Sequence, residues 1–201
     1  MMKRNLLFFI FLFSSIFLSA QNFKAIYKSM SSKDKFWVVG HYNSVMTAIN
    51  ISKDVMKTMD SLDNEKFFGG NSEGGKFDAF RHIYWMYSLS IEIGEENARR
   101  IGEIYENYNY YVFTQKPLSG YDSVGMAMDL FNNDLGISLS KTIEDKSLVF
   151  KEIENIIIQG RAKVIKKNQN FESLDINGDI ISQEEWKSSW NNSRVLIYSN
   201  E

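Results

Sequence analysis

The chain contains no cysteine, and this absence excludes several classes of site at once. Disulfide bonds, a lipid attached to an N-terminal cysteine and zinc sites built on thiolates are all ruled out. Only one proline and two histidines occur among the 201 residues, so histidine-based metal sites are also restricted. The fold must therefore be held by packing, for which an aromatic fraction of 14% supplies large apolar side chains.

An excess of positive charge is lacking as well. The chain has 23 basic and 25 acidic residues, and without Lys3 and Arg4 the balance is 21 against 25, a net charge of −4. Binding to nucleic acid depends on clustered Lys and Arg that neutralise phosphates, and the basic runs of this chain are short. We therefore predict no nucleic-acid partner.

Residues 1–20 have the pattern of a secretory signal peptide. Lys3 and Arg4 precede the apolar run Leu6–Leu18, which ends close to Ala20. The run is shorter than the roughly 20 apolar residues that a membrane-spanning helix needs. We predict cleavage near Gln21 and export to the periplasm or the extracellular space, with no integral membrane span after cleavage. An uncleaved anchor is the alternative.

Apolar residues at three- and four-residue spacings predict a helical domain over residues 21–160. A helical pattern begins at Ser31, and four glycines within residues 69–75 predict a loop. The further helices expected are 76–93 (followed by Gly94), about 95–110, about 123–140, and one within 142–160 closed by Gly160. The fold class predicted is mainly α, a helical bundle.

Beyond Gly160 the pattern changes to short β-branched segments, "RAKVIKK", "DIISQ" and "RVLIYSN". They predict a small β-hairpin or sheet over residues 161–201, packed on the helical domain. The stretch "DINGDIISQEEW", residues 175–186, resembles a calcium-binding loop but lacks the glycine at its sixth position and the glutamate at its twelfth. We expect a tight turn at Asn177-Gly178 instead.

The predicted helix 76–93 carries a polar stripe. Residues three or four apart share one helix face, which places Asp78, His82, Trp85 and Leu89 together. Asp78 is placed to fix the tautomer and orientation of His82, and to raise its basicity if the pair is shielded from water. Arg81 lies beside the stripe and offers a permanent positive charge to a carboxylate or phosphate.

A second polar pair lies in "GMAMDLFNNDLG", residues 125–136, where Asp129 and Asn133 are four residues apart among apolar neighbours. Gly125 and Gly136 indicate the close approach of another backbone or a bound group, or else a helix end. Polar groups on a buried face need partners. We therefore expect the pair on this helix to converge with Asp78 and His82.

"DAFRHIYW" followed by "MDLFNNDLG" resembles an uncharacterised bacterial domain family with D-A-F-R-H-x-x-W and M-D-L-x-N-N-x-x-G motifs, often found in exported or toxin-like proteins. The resemblance covers about Ser31 to Leu139 and implies a helical fold but no reaction. It points to the following residues: Asp78, Arg81, His82, Trp85, Asp129, Asn132, Asn133 and Gly136. Where the family often has Ala-His-Glu between the motifs, this chain has Ile104-Tyr105-Glu106, so that Glu106 remains as a candidate.

Three classes of function are consistent with these residues. The first is a hydrolase or effector-like enzyme, with Asp78, His82 and Asp129 as catalytic residues and with Arg81, Glu106, Asn132 and Asn133 as substrate-binding residues. The second is a non-catalytic module of the cell envelope in which the cluster fastens two helices. The third is a partner or inhibitor protein that uses an exposed aromatic segment such as 108–113.

The same residues limit the cofactors that we expect. His82 and His41 are the only imidazoles and lie in unrelated stretches, so no metal site is predicted. A magnesium or calcium ion held by Asp129, Glu106 and amide oxygens is the alternative.

Overall fold

The computed structural model describes residues 20–62, 68, 73–116, 118–143 and 145–201. The predicted signal peptide, apart from Ala20, and most of the glycine-rich loop lie outside these residues. The structure is 67% helical, which confirms the mainly α fold class. No helix in the described ranges is long and apolar enough to cross a membrane.

The described residues form eight α-helices and one antiparallel sheet of two strands. The helices are α1 Ala20–Ser29, α2 Ser32–Gly40, α3 Tyr42–Ser61, α4 Lys76–Ile93, α5 Glu95–Gln115, α6 Ser123–Leu139, α7 Val149–Ile158 and α8 Gln183–Ser188. The strands are β1 Lys163–Ile165 and β2 Leu196–Tyr198, with Val164 opposite Ile197.

Helix α4 is the centre of the molecule because apolar side chains surround most of its axis. Phe80, Ile83, Met86 and Leu89 are 0% exposed. Gly136 of α6 lies against it: a Cβ at Gly136 would be 2.3 Å from the carbonyl oxygen of Ile83. The glycine therefore marks a close approach between two helix backbones, one of the alternatives that the sequence left open.

Helix ends match the sequence where a specific capping residue is present. Helix α4 ends at Gly94, whose φ of 80° belongs to the region that favours glycine and whose N–H donates to the Ser90 carbonyl. Helix α6 begins after Asp122, whose Oδ1 accepts the N–H of Gly125 at 2.7 Å. Gly125 thus belongs to a helix end.

The helical pattern that begins at Ser31 is divided into α2 and α3 at His41, and α1 precedes it. The predicted strand "DIISQ" is wrong, because only an isolated bridge joins Ile180 to Leu174 and α8 begins at Gln183. The cause is a helix-capping signal: the Ser182 hydroxyl accepts the Glu185 N–H, and acidic residues occupy the first turn of α8.

The tight turn expected beside this segment is present. Gly178 has a φ of 91°, and one carboxylate oxygen of Asp175 accepts the N–H groups of Asn177 and Asp179, each at 2.9 Å. The Asp175 side chain is thus used to hold the turn.

The C-terminal segment packs on the helices through polar contacts. The side-chain amide of Asn132 in α6 bonds both the N–H and the carbonyl of Lys163 in β1. Arg194 forms a buried ion pair with Asp122, with Nη2 2.6 Å from Oδ2. The Arg194 guanidinium also stacks 3.8 Å above the Trp186 ring. These contacts hold the C-terminal segment against α6, at its start through Asp122 and farther along the helix through Asn132.

Candidate functional site

Helices α4 and α6 bring the two predicted polar pairs together. His82 Nδ1 lies 3.1 Å from Asn133 Oδ1, and His82 Nε2 lies 3.3 Å from Asp129 Oδ1. Asp78 Oδ1 is 3.6 Å from the same Nε2. The two residues of each pair are about one helical turn apart, and the two pairs are some fifty residues apart in the sequence. All four residues form one cluster in the structure.

Asn133 determines the tautomer of His82. An amide oxygen only accepts hydrogen bonds, so Nδ1 carries the proton and donates it to Asn133 Oδ1. The Nε2 lone pair then faces the carboxyls of Asp78 and Asp129. The ring lies edge-on to Trp85 at 6.2 Å between centroids, and the Trp85 indole N–H donates to the Ser52 hydroxyl.

Asp78 is fully occupied by two other partners. Its Oδ2 accepts the Gly74 N–H at 2.7 Å, and its Oδ1 accepts a hydrogen bond from Arg81 Nη2 at 2.5 Å. The carbonyl of Gly74 in turn accepts the Ile165 N–H of β1. Asp78 thus ties the described end of the glycine-rich loop to α4 rather than orienting His82.

Asp78 raises the pKa of His82, as expected, but the net shift of that pKa is downward. Burial, and then the neighbouring positive charge of Arg81, lower the pKa of His82 to about 4, against the weaker opposing effects of Asp78 and Asn133. His82 is 3% exposed, so an imidazolium there would lose most of the hydration that it has in bulk solvent. The imidazole is neutral at pH 7.

The carboxyls of this region shift in the other direction. Burial raises the pKa of Glu106 to about 8, and the Asp78 charge adds to the rise against the opposing effects of Asn109 and Arg81. Burial and the charges of Glu106 and Asp78 raise the pKa of Asp129 well above its usual value.

Helix α5 places Glu106 beside the cluster through a glycine one turn earlier. A Cβ at Gly102 would lie 3.2 Å from Asn133 Nδ2, so α5 comes close to α6 at this point. Glu106 is 1% exposed, and its Oε2 accepts a hydrogen bond from Asn109 Nδ2 at 3.0 Å. Tyr105 occupies the position where the family often has a histidine. Its ring lies edge-on to the Trp85 ring, with 5.6 Å between the ring centroids.

Several buried polar atoms of this region have no hydrogen-bond partner among the described residues: Glu106 Oε1, Asn109 Oδ1, Asp129 Oδ1 and Asn133 Nδ2. Buried polar atoms in folded proteins are nearly always paired. Two edges of the cluster reach solvent, because the side chains of Arg81 and Asp129 are 26% and 16% exposed.

One predicted substrate-binding residue faces away from this cluster. Asn132 is 0% exposed, and its amide is used by Lys163 of β1, as described above. Two neighbours were missed by the sequence reasoning: Asn109, which bonds Glu106, and Tyr121, whose pKa is raised by burial and then by the nearby Tyr108 and Glu106. Asn109 follows Glu106 by three residues on α5, and this spacing was a signal that could have been read. Tyr121 lies in a loop, where no periodicity points to it.

Three donor atoms could hold a metal ion, one each from Asp78, His82 and Asp129, all within 4.8 Å of one another. Arg81 Nη2 already contacts two of these residues, at 2.5 Å from Asp78 Oδ1 and 3.4 Å from His82 Nε2. A metal ion would have to displace this guanidinium nitrogen. The resident cation of the cluster is therefore Arg81.

The aromatic segment 108–113 is partly covered by the chain itself. Tyr108 is buried, while the rings of Tyr110 and Phe113 lie 4.6 and 5.3 Å from the Trp190 ring. Tyr110 remains 47% exposed. The segment thus offers less free aromatic surface than its sequence suggests.

A family model described as a domain of unknown function, DUF6973, matches residues 35–169. The match contains both motifs and β1. No curated protein and no solved structure matches the chain.

Proposed function

The chain belongs to the DUF6973 family, and we propose that it is an exported hydrolase whose acid–base groups are the His82 imidazole and the Glu106 carboxyl. The proposal rests on the unpaired buried atoms around His82. Buried polar atoms in folded proteins are nearly always paired, so these atoms need partners such as water or a bound substrate. Within the described part of the chain, Glu106 Oε1 and Asn133 Nδ2 have no hydrogen-bond partner.

The two acid–base roles follow from pKa values displaced in opposite directions. Groups whose environments separate their pKa values in this way supply the base and the acid of a reaction. A neutral His82 can take a proton from an attacking water, and the Asp78 carboxylate, whose Oδ1 lies 3.6 Å from Nε2, can stabilise the resulting positive charge. Glu106, still protonated at pH 7, can donate to the leaving group.

Arg81 supplies the remaining element that a hydrolase needs. Its guanidinium carries a permanent charge and is the most exposed part of the cluster, so it faces an incoming substrate. Bonded to Asp78 on one side, it has further N–H groups that can stabilise negative charge developing on a carbonyl or phosphoryl oxygen. The substrate class favoured is therefore an ester, amide or phosphodiester.

The test is hydrolysis of fluorogenic esters, amides and phosphodiesters by the protein and its His82→Gln, Glu106→Gln and Glu96→Gln variants. Glu96 is exposed on the first turn of α5 and serves as the matched control. We expect rates lower by about 10²- to 10⁴-fold in the first two variants and unchanged in the third. Activity should fall below pH 4 and above pH 8, following the pKa values of about 4 and about 8. Equal rates in all four proteins would overturn the assignment.

A non-catalytic module is the second candidate, and Asp78 favours it. Both oxygens of this buried carboxylate are bonded, to Gly74 and to Arg81, so this half of the cluster stabilises the fold whatever the rest does. Thermal melts of His82→Ala, His82→Gln and Asp129→Asn separate the candidates without a substrate. Loss of a needed partner costs about 1–3 kcal/mol. Large destabilisation by all three substitutions would favour the non-catalytic module. If His82→Gln and Asp129→Asn leave the stability nearly unchanged, the hydrolase is favoured.

Export is the remaining part of the proposal and rests on Lys3, Arg4, the apolar run Leu6–Leu18 and Ala20. Intact-mass measurement of the protein recovered from each culture fraction tests it. We expect a mass that begins at or near Gln21 outside the cytoplasm. A cytoplasmic species that retains residues 1–20 would contradict it.

A further inference from the structure

Helices α1 to α3 carry an apolar surface that no described part of the chain covers. Phe36 is 84% exposed, Val39 68% and Tyr42 63%. These residues follow one another around the junction of α2 and α3, where Gly40 has open space around it. Isolated exposed apolar residues are ordinary, but three large ones in seven positions form a patch that marks an interaction site.

Lysines surround this patch. Residues 23–46 contain Lys24, Lys28, Lys33 and Lys35 against a single acid, Asp34, although the whole chain has more acidic than basic residues. Asp34 is buried and bonds Arg100 of α5, which also bonds the partly exposed Glu103. Four lysines and Arg100 thus stand against two carboxylates here. The local charge that reaches solvent is therefore positive.

The lysines and the apolar residues belong to one surface. Lys35 Nζ lies 5.8 Å from the centre of the Tyr27 ring, a contact that joins α1 to α2 next to Phe36. Tyr27 is 36% exposed and lies one helical turn after Lys24 on α1, and the exposed Lys28 follows it directly. Lys33 precedes Phe36 by one turn of α2, and both are exposed.

We propose that this surface, the Phe36 face (Phe36, Val39 and Tyr42 with Lys24, Lys28 and Lys33), docks on an anionic lipid bilayer. Aromatic and aliphatic side chains insert at the level of the headgroups, while lysines beside them meet lipid phosphates. The apolar run Leu6–Leu18 lies just before α1 in the sequence, so this end of the molecule is the one nearest a membrane during export. A protein partner or a second copy would also cover apolar area but would not require anionic lipid.

A dye at a single cysteine tests the proposal, because the chain has no cysteine of its own. Val39→Cys and, as a matched control, Ile176→Cys are each labelled with an environment-sensitive fluorophore in the full chain. Ile176 is 74% exposed on the C-terminal segment. The local readout separates contact of the Phe36 face from any binding through residues 1–19. Vesicles of phosphatidylglycerol and vesicles of phosphatidylcholine are added to each protein.

We expect a blue shift of the fluorophore at position 39 and none at position 176. Partitioning to phosphatidylglycerol vesicles should be about tenfold or more stronger than to phosphatidylcholine vesicles, and salt should weaken it. Phe36→Ser with Tyr42→Ser should weaken partitioning by about tenfold or more, while Ile176→Ser with Ile180→Ser should not. An unchanged dye at position 39, or an equal shift at both positions, would overturn the proposal. A shift at position 39 that grows with protein concentration without vesicles would show self-association instead.

Discussion

At the scale of single residues, burial determines the protonation of the candidate site. His82 loses basicity and Glu106 and Asp129 lose acidity for the same reason, because each charged form is costly away from water. Three carboxyls surround one guanidinium and a neutral imidazole. If all three were ionised, two negative charges would remain uncompensated, so the cluster holds protons.

Glu106 gives the clearest pH signature of this arrangement. Its pKa of about 8 in the folded protein lies above the ordinary value of 4.5. The stability that it contributes is therefore fully present below pH 4.5 and is lost as the pH rises through 8. Glu106→Gln keeps a neutral side chain at all pH values and can still accept from Asn109. Its melting temperature should exceed that of the parent protein by a margin that widens from pH 5 to pH 9.

Melts of Glu96→Gln across the same range provide the control, since Glu96 is exposed on the same helix. The difference in melting temperature between Glu96→Gln and the parent protein should not widen from pH 5 to pH 9. If Glu106→Gln shows a constant or shrinking margin, the carboxyl is ionised in the folded protein and the proposed proton donor is wrong.

At the scale of helices, the site depends on how closely α4 and α6 approach. Gly136 has no side chain to separate them, so Asp129 and Asn133 reach His82 directly. The sequence carried this information as a glycine in an otherwise apolar helix, but it left a helix end as an equal alternative. Only the packing of α6 on the Ile83 carbonyl decides between them.

Gly136→Ala should therefore be strongly destabilising. Its Cβ would lie 2.3 Å from the Ile83 carbonyl oxygen and 2.9 Å from Met86 Cβ, so the helices must move apart. Overpacking of this kind costs roughly 1–3 kcal/mol, and more where backbone has to shift. Urea denaturation measures the loss. Gly40→Ala is the control, because a Cβ at Gly40 meets nothing within 4 Å.

Gly40→Ala should be neutral or slightly stabilising, since alanine favours a helix by up to about 1 kcal/mol over glycine. If both variants lose the same stability, the intolerance of Gly136 comes from general helix effects and not from the contact with α4. If Gly136→Ala is neutral, α4 and α6 are not in close contact.

Elements with a strong local signal were predictable from the sequence, and those that depend on distant contacts were not. Helix α4 was predicted at its observed bounds because Gly94 ends it. Asn132 and Asn133 are adjacent and equally polar, and nothing local shows that one bonds β1 and the other His82. The unfavourable effect of burial on the charge of His82 likewise depends on neighbours far away in the chain.

At the scale of the whole molecule, a buried ion pair joins the last part of the chain to the helix that carries half of the site. The side chains of Asp122 and Arg194 are 0% and 3% exposed, and Asp122 also accepts hydrogen bonds from Gly125 and Asn192. The sequence offers Asp122 and Ser123 as alternative capping residues for this helix, and the structure uses Asp122. The sequence did not predict the partner seventy-two residues later.

Arg194→Ala should destabilise the molecule by about 3–5 kcal/mol, because it leaves the Asp122 charge buried with no cation. Hydrogen exchange of the β1 and β2 amides should accelerate together with the fall in stability, since the C-terminal segment loses its contact with α6.

The exposed pair of Lys141 and Glu95, whose side chains are 56% and 47% exposed, is the matched control. Lys141→Ala should cost less than about 1 kcal/mol. Combining Arg194→Met with Asp122→Asn removes both charges and should recover much of the loss, since Asn still caps α6. If Arg194→Ala costs no more than Lys141→Ala, the C-terminal segment is not held by this pair, and the position of α6 depends on Asn132 and Gly136 alone.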